Sequence, residues 1–131
     1  MRFVDTSFLI AAFRSRETHH LAATSLWHTT SGPLVTTVGV LGETWTFMCR
    51  REHHNAAVTV VKALQNSPRL AVIETDSEIH RAAWAWLEKR DEHENSFVDA
   101  VSFEVMRRRR ITEVLAFDDD FTRAGFTELR P

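Results

Sequence analysis

The chain has 131 residues, of which 44% are hydrophobic and 26% charged, a composition that indicates a globular protein and excludes a disordered or fibrous one. Its formal net charge of −2 excludes a protein that holds nucleic acid by bulk electrostatic attraction. Cys49 is the only cysteine, which excludes an intramolecular disulfide and a thiolate zinc site and favours a reducing, cytoplasmic compartment.

Short apolar runs alternate with longer amphipathic stretches along the chain, which is the pattern of an α/β protein. In the first half this pattern predicts a strand at 3–5, a helix capped by Thr6 or Ser7, a helix at 18–30, a strand at 34–37, and helices at 38–51 and 54–65. In the second half it predicts a strand at 70–73, a helix capped by Asp76 or Ser77, a helix from Ser96 to the arginines at 107–110, a strand at 114–117 and a short fifth strand at 126–129.

Strands separated by helices predict a parallel sheet with helices on both faces, in a single domain over residues 1–131. The apolar stretch at 8–13 is too short to span a membrane and lacks a small-residue cleavage site. We therefore expect no targeting segment and no membrane partner. In sheets of this kind, ligands bind outside the carboxyl ends of the strands, so polar residues there are the candidate site.

Four acidic residues lie at the boundaries of apolar runs, where a predicted strand ends or a predicted helix begins. They are Asp5, Glu43, Asp99 and Asp118. Two of them, Asp5 and Asp118, directly follow or terminate predicted strands. Because the carboxyl ends of parallel strands meet at one edge of a sheet, the topology is expected to bring these two carboxylates together although they are far apart in sequence.

Each acid alone also has an ordinary structural explanation. Asp5 could cap the following helix, although the next two residues are both competent caps. Glu43 could lie on a solvated helix face, Asp99 could be placed favourably in the dipole of a helix N-terminus, and residues 118–120 could form an acidic turn. Four such acids in one small domain would repel one another without a counter-ion, so together they favour a metal site.

The expected metal is Mg²⁺ or Mn²⁺, because Mg²⁺ binds through a few carboxylates, keeps several waters and shares its shell with substrate phosphates. One or two such ions can generate hydroxide and stabilise the leaving oxygen. The chain has no HExxH motif, no glycine-rich phosphate loop and no recognisable Ser-His or Cys-His arrangement. The acids therefore favour metal-dependent hydrolysis of a phosphodiester.

The segments that carry these acids resemble those of the PIN domain family. They are residues 4–9 (VDTSFL), 37–44, 96–100 (SFVDA), 116–121 (AFDDDF) and 124–126 (AGF). Within that family, the chain is similar to the VapC-type ribonuclease toxins of bacterial and archaeal toxin–antitoxin pairs. The resemblance extends over residues 3–129, and its strength lies in the occurrence of all four motifs in order.

The resemblance implies a three-layer α/β/α sandwich with a central parallel sheet of four to five strands. It implies an Mg²⁺- or Mn²⁺-dependent endoribonuclease that cleaves single-stranded or loop RNA, a cognate antitoxin protein and a homodimer. By the same resemblance, Asp5, Asp99 and Asp118 bind the metal and Glu43 binds it or orients the attacking water. Asp120 matches an additional acid, and Ser7 and Ser96 match residues that support the first and third acids.

Other functions remain as alternatives. One is a PIN nuclease that processes RNA without being a toxin, or that acts on DNA; another is a non-catalytic PIN-like interaction module. A phosphorelay receiver domain would need an acidic pair where Thr6 and Ser7 stand, and an aspartyl phosphatase would need a second Asp at the position of Ser7. The complete set of four acids favours the nuclease.

Three further groups of residues have weaker functional interpretations. Arg107–Arg110 could contact RNA phosphates or an acidic antitoxin segment, but a charged helix end stabilised by the helix dipole is favoured. For the tryptophans, core or dimer packing is favoured over base stacking; they are Trp27, Trp45, Trp84 and Trp86. The histidines, at positions 19, 20, 28, 53, 54, 80 and 93, show no metal-ligand spacing.

Overall fold

The computed structural model describes residues 1–91 and 94–131, which form a five-stranded sheet flanked by helices. The strands are β1 (Arg2–Val4), β2 (Leu34–Thr37), β3 (Leu70–Ile73), β4 (Glu113–Leu115) and β5 (Thr127–Glu128). The helices are α1 (Thr6–Phe13), α2 (His20–Thr29), α3 (Val38–Arg51), α4 (His54–Asn66), α5 (Ser77–Glu88), α6 (Phe97–Arg109) and α7 (Asp120–Arg123). The predicted α/β class is confirmed.

All neighbouring strands run parallel, in the order β3-β2-β1-β4-β5, as the alternation of strands and helices predicts. In the central strand, Phe3 lies opposite Val35 of β2 on one side and Val114 of β4 on the other. Phe3 and Val4 are fully buried, which explains why β1 reads as a short continuous apolar run. Because β1, β2 and β4 are parallel neighbours, their carboxyl ends meet at one edge of the sheet.

The helices cover the sheet in packed groups. α1 contacts α2 and α3, α3 contacts α4, and α5 contacts α6. An aromatic cluster fills the core beside β1, where the Phe121 ring centroid lies 6.2 Å from that of Phe3 and 4.9 Å from that of Phe103. These contacts tie α6 and α7 to the central strand, so the helix that carries Asp99 has a fixed position relative to the strand ends.

The helix caps follow the predictions at two of three positions, since the side chains of Asp76 and Ser96 accept hydrogen bonds from the first turns of α5 and α6. The Thr37 side chain does the same for α3, where no cap is predicted from the sequence. The prediction that Thr6 or Ser7 caps the first helix is wrong, because α1 begins at Thr6 and Asp5 is its cap. The chain leaves β1 in an extended conformation at Asp5, which places that carboxylate, rather than a later hydroxyl, within reach of the Ser7 amide.

Several predicted boundaries differ from the structure by one or two residues. β1 ends at Val4 instead of position 5, β4 covers Glu113–Leu115 instead of 114–117, and α2 begins at His20 instead of 18. The short helix α7 was not predicted, because an acidic run directly after a strand is typical of a turn. In the part of the chain that the structure describes, no helix has both the length and the apolar character required to cross a membrane.

Candidate active site

Three strand ends bring most of the predicted acids to one edge of the sheet. Asp5 directly follows β1, and its backbone N–H donates to the carbonyl oxygen of Leu115, the last residue of β4, at 3.0 Å. Asp118 lies three residues beyond β4, and Glu43 lies in the second turn of α3, which begins directly after β2. Asp99 joins them from the first turn of α6.

Asp5 is the most deeply buried of the acids, with only 2% of its surface exposed. Its Oδ2 atom accepts hydrogen bonds from the Ser7 backbone N–H at 3.1 Å and from the Ser7 hydroxyl at 2.8 Å. Its Oδ1 atom is buried and has no hydrogen-bond partner. Burial, with the charge of Asp118 as a second cause, raises the pKa of Asp5 from 3.8 to about 7. A buried carboxylate oxygen without a partner is costly, and a bound cation would remove that cost.

Ser7 connects the ends of the two central strands. Its hydroxyl donates to Asp5 and accepts a hydrogen bond from the backbone N–H of Phe117 at 3.0 Å. One side chain therefore orients Asp5 and also holds the segment that leads from β4 to Asp118. The hydroxyl at the position predicted to support the first acid is thus hydrogen-bonded to that acid and to the backbone one residue before Asp118.

Replacing Ser7 by alanine is expected to lower the free energy of unfolding by about 1–3 kcal/mol. The Phe117 N–H loses its hydrogen bond to the Ser7 hydroxyl, and Asp5 Oδ2 loses one of its two hydrogen bonds. It should also lower any metal-dependent activity, since Asp5 loses the hydroxyl that holds it. Urea unfolding of the two proteins measures the first effect. Thr59→Ala is the matched control, because its hydroxyl bonds only an exposed helix carbonyl, and it should change stability by less than about 0.5 kcal/mol.

Glu43 is held by a residue whose role the sequence did not reveal. The hydroxyl of Thr6 donates to Glu43 Oε1 at 2.7 Å across 37 positions of the sequence. Burial, with the charge of Asp99 as a further cause, raises the pKa of the half-buried Glu43. The sequence marks Thr6 only as a candidate helix cap, and no local pattern indicates that the first turn of α1 would face α3.

Asp99 and Ser96 form a reciprocal capping box at the start of α6. The Asp99 backbone N–H donates to the Ser96 hydroxyl at 3.0 Å, and the Ser96 backbone N–H donates to Asp99 Oδ2 at 3.2 Å. Burial is the main cause that raises the pKa of Asp99, and the charge of Asp120 adds to it. The helix-start explanation of Asp99 is therefore confirmed, and the same capping box holds in place the carboxylate that the sequence predicts as part of the site.

Asp118 begins the turn into α7, where its Oδ1 atom accepts a hydrogen bond from the Asp120 backbone N–H at 3.1 Å. Burial and the charge of Asp120 raise the pKa of Asp118 from 3.8 to about 6, and the charges of Asp99 and Glu128 contribute. Asp120 itself is paired with the Arg123 guanidinium at 2.6 Å. Asp119, whose side chain is 84% exposed, lies outside the cluster.

The four predicted acids act on one another electrostatically, and the charge of Asp99 acts on all three of the others. After burial, the charge of Asp99 is among the causes that raise the pKa values of Asp5, Glu43 and Asp118. Every member of the set is thus harder to ionise than a solvated carboxyl group. A small domain that concentrates carboxylates in this way is poised to bind a cation.

The raised pKa values predict how stability without metal depends on pH. A carboxyl group whose pKa is higher in the folded state binds protons more tightly there, so the free energy of unfolding falls as pH rises from about 4 to about 7. We expect a decrease of roughly 2–4 kcal/mol in EDTA, mainly from Asp5, because Asp118 is more exposed and screened by water. Urea unfolding between pH 4.5 and 7.5 measures it; an Asp5→Asn protein with the same slope would contradict the assignment.

The donor set fits a hard divalent cation. All the candidate ligands are carboxylate oxygens, and the partnerless Oδ1 of Asp5 offers a position for the ion. Among residues 1–91 and 94–131, no three acidic, histidine or cysteine side chains are already close enough to ligate one ion as placed. Mg²⁺ commonly keeps several water molecules and takes part of its shell from a substrate phosphate.

The four consecutive arginines do not form one surface. Arg108 pairs with Glu104 at 2.8 Å and with Glu78 at 3.2 Å, while the Arg107 guanidinium lies 6.0 Å from the Trp86 ring centroid. Arg110 ends α6 in the left-handed conformation, with φ of 56°. The residues therefore point in different directions, as expected for a charged helix end.

The tryptophans and histidines differ in how they are placed. Trp27, Trp45 and Trp86 are partly buried against the core, as predicted, whereas Trp84 is 54% exposed. The exposed His19 stacks on Phe117 with ring centroids 4.7 Å apart. His93 lies outside the described residues, and the other histidines share no metal-binding group in the described part of the chain.

Comparison with known proteins gives a family and a close structural relative. The sequence model of the PIN domain family matches residues 2–127. The chain is 44% identical over 131 residues to the protein named 23S rRNA-specific endonuclease VapC20 in two strains of Mycobacterium tuberculosis, covering 100% of this chain and 99% of the relative. The crystal structure of Mycobacterium tuberculosis VapC20, described as a sarcin–ricin loop cleaving toxin, matches with a TM-score of 0.96 and 43% identity over 100% of both chains.

More distant structures share the fold alone. VapBC2 from Rickettsia felis, solved with a DNA fragment from its promoter, matches with a TM-score of 0.69 at 10% identity, over 98% of this chain and 96% of that one. FitAcB from Neisseria gonorrhoeae matches with a TM-score of 0.69 at 12% identity and the same coverage. At such identities the match shows that the fold is shared and carries no information on the site residues.

Proposed function

This chain belongs to the PIN domain family, and we propose that it is a divalent-metal-dependent endoribonuclease that cleaves the sarcin–ricin loop of 23S ribosomal RNA. The substrate is proposed from the full-length relative, which is named for that activity and matches at 44% identity. The proposal that a metal ion takes part in cleavage rests on one observation. Asp5 belongs to a cluster of four carboxyl groups, and its buried Oδ1 atom has no hydrogen-bond partner.

Asp5, Asp99 and Asp118 would hold Mg²⁺ or Mn²⁺, directly or through water, with Asp120 at the margin of the site. When bound, the ion supplies charge neutralisation, an activated water for attack on phosphorus and stabilisation of the leaving oxygen. Asp120 is a weaker candidate ligand, because Arg123 already pairs with it at 2.6 Å. The raised pKa values mean that cation binding must displace protons, so affinity should increase as pH rises towards 8.

The remaining side chains position these groups. Ser7 occupies Oδ2 of Asp5 and leaves Oδ1 available, and the capping box of Ser96 holds Asp99 at the start of α6. Thr6 restrains one oxygen of Glu43, so the other remains available to a ligand or to an attacking water. Preorganised groups of this kind need no rearrangement when charge develops on the phosphate.

The relative is described as a toxin, and we add to the proposal the biological setting that the family resemblance implies, namely a cognate antitoxin protein that holds the chain inactive and assembly as a homodimer. Expression of the chain alone should arrest bacterial growth, and expression together with a short reading frame adjacent to its gene should restore it. Light scattering of the purified chain tests the dimer. Growth arrest that persists in an Asp99→Asn variant would separate toxicity from the acidic site and contradict the proposal.

Cleavage of ribosomal RNA tests the enzymatic proposal directly. Wild-type protein and Asp99→Asn are incubated with purified ribosomes in Mg²⁺, Mn²⁺ or EDTA, and the RNA ends are mapped by primer extension. Asparagine can still accept the Ser96 N–H, so the helix start is retained in the variant. One discrete cut in the 23S RNA that needs both the metal and Asp99 is expected. A cut elsewhere would reject the proposed loop, and cleavage unaffected by EDTA would reject the metal.

A further inference from the structure

One face of α3 connects the acidic cluster with two arginines inside a single cavity. The cavity has a volume of about 790 Å³, and the α3 residues that line it are at positions 39, 42, 43, 46, 47, 50 and 51. Residues three and four positions apart lie on the same face of a helix, so these positions form one continuous surface. Because α3 begins directly after β2, Glu43 lies near the carboxyl edge of the sheet, and Arg50 and Arg51 lie at the other end of the helix.

The two arginines in this wall carry charges that no carboxylate neutralises. Arg50 and Arg51 are exposed, and neither forms an ion pair with an acid among residues 1–91 and 94–131. Arg14 differs from them, because its guanidinium pairs with Glu17 at 2.8 Å and lies 3.5 Å from Glu52. The cavity therefore has two positive charges that are available to an anionic ligand.

Phe47 restrains one of these arginines. It lies between Glu43 and Arg51 on the same face of α3, and its ring centroid is 5.7 Å from the guanidinium carbon of Arg51. The guanidinium carbon of the neutralised Arg14 lies at the same distance from this ring. A guanidinium held over an aromatic ring has less conformational freedom to lose when it binds a ligand.

We propose that Arg50 and Arg51 bind phosphate groups of the RNA strand on one side of the bond that is cleaved. The inference rests on the proposed function, because it assigns the substrate strand to the cavity that contains Glu43. Arg50 follows Glu43 by seven residues, or about 10 Å along the helix axis. At about 3.4 Å of axial rise for each phosphate, this distance corresponds to about three nucleotides. The arginines are thus positioning residues that do not touch the reacting atoms.

The contents of the cavity favour RNA over a second copy of the chain. The proposed reaction requires that RNA reach Glu43, and a second copy seated in this cavity would cover Glu43. A strand that brings one phosphate to the acidic cluster also brings the phosphates of the following nucleotides, whichever bases they carry. Guanidinium groups pair with phosphate through two parallel hydrogen bonds, so the basic end of α3 is complementary to that strand.

Local positive charge is also needed on electrostatic grounds. The chain has a formal net charge of −2 and concentrates four carboxyl groups at the edge where the strand must bind. A polyanion approaching that edge is repelled unless cations lie close to its path. Arg50 and Arg51 are the lysine or arginine residues that line the cavity containing Glu43. They can therefore offset the repulsion without any basic excess in the whole protein.

Steady-state cleavage of purified ribosomes tests the positioning role. The double variant Arg50→Gln with Arg51→Gln is compared with the double variant Arg50→Lys with Arg51→Lys and with the parent protein. We expect the glutamine variant to raise KM about tenfold with kcat within about twofold, because the lost contacts hold the substrate equally before and during the reaction. The lysine variant keeps both charges and should recover most of the loss.

Arg81→Gln is the matched control. Arg81 is exposed on α5, forms no ion pair within the described residues and does not line the cavity. Its replacement should leave KM and kcat unchanged. Because the replaced arginines are exposed too, all variants are expected to fold as the parent does, and urea unfolding checks this.

The salt dependence of binding separates phosphate contacts from other effects. Fluorescence anisotropy measures the association constant of a labelled sarcin–ricin loop RNA in an Asp99→Asn background, in which cleavage is expected to be removed. In a plot of its logarithm against the logarithm of salt concentration, each phosphate contact with a single strand contributes about 0.7 to the slope. Arg50→Gln with Arg51→Gln should therefore reduce the slope by about 1.4, and the lysine variant should retain it.

Unchanged KM and an unchanged salt slope in the glutamine variant would overturn the phosphate site and leave the nuclease intact. A fall in kcat with KM unchanged would also overturn it, because the arginines would then act on the reaction itself. Weaker inhibition by the antitoxin with KM unchanged would assign them to the antitoxin. A changed mass in light scattering with KM unchanged would assign them to a second copy. A parent protein that neither cleaves ribosomes nor binds the loop RNA would overturn the proposed function together with this site.

Discussion

Replacing Asp5 by asparagine is expected to lower the rate of RNA cleavage by about 10³-fold and to make the metal-free protein more stable. Asparagine has nearly the same shape and can still accept the hydrogen bonds of Ser7, but it brings no charge to the position of Oδ1. Because burial raises the pKa of Asp5 to about 7, ionising it in the folded state is costly. Removing that charge should increase the free energy of unfolding at pH 7.5 by about 1–2 kcal/mol.

The measurement pairs a cleavage assay with urea unfolding in EDTA for wild-type protein and Asp5→Asn. Asp119→Asn is the matched control, because it is the same chemical change at an acid whose side chain is 84% exposed and lies outside the cluster. It should leave both the rate and the stability nearly unchanged. Loss of activity together with loss of stability in Asp5→Asn would show that Asp5 is needed for folding instead of for metal binding.

Mg²⁺ is expected to stabilise the folded protein by about 2.7 kcal/mol at a hundred times its dissociation constant. For a domain of this size, that corresponds to a rise in Tm on the order of 10 °C. At a fixed Mg²⁺ concentration, the stabilisation should be larger at pH 8 than at pH 6. The ion competes with protons for carboxyl groups whose pKa values are raised to about 7 for Asp5 and about 6 for Asp118, so it binds more tightly at the higher pH.

Thermal melts with EDTA and with increasing Mg²⁺ test this response in wild-type protein, Asp5→Asn and Asp119→Asn. Asp5→Asn should lose most of the stabilisation and Asp119→Asn should retain it. Equal shifts in all three proteins would mean that Mg²⁺ binds elsewhere, and the assignment of a shared metal site would then be wrong. The readout is stability, so it does not depend on knowing the RNA substrate.

The family and the fold class were predictable because their signals are local or depend only on the order of elements. Apolar runs at the positions of β2 and β3 have the predicted bounds, and the alternation with helices determines a parallel sheet. The resemblance to the PIN domain family is confirmed by the match over residues 2–127. Strand ends carry Asp5 and Asp118 to one edge because parallel neighbours share direction, whichever side chains pack around them.

The sequence by itself determined which residues could form the site, since acids at strand ends and helix starts can be read from short segments. Only the tertiary structure decided how they are held. The Thr6–Glu43 bond spans 37 positions, and the Ser7–Phe117 bond spans 110. Contacts at such separations depend on how helices pack against the sheet, which no local pattern encodes. The same packing left Trp84 exposed and made Asp5 both the cap of α1 and a carboxylate with one unpaired oxygen.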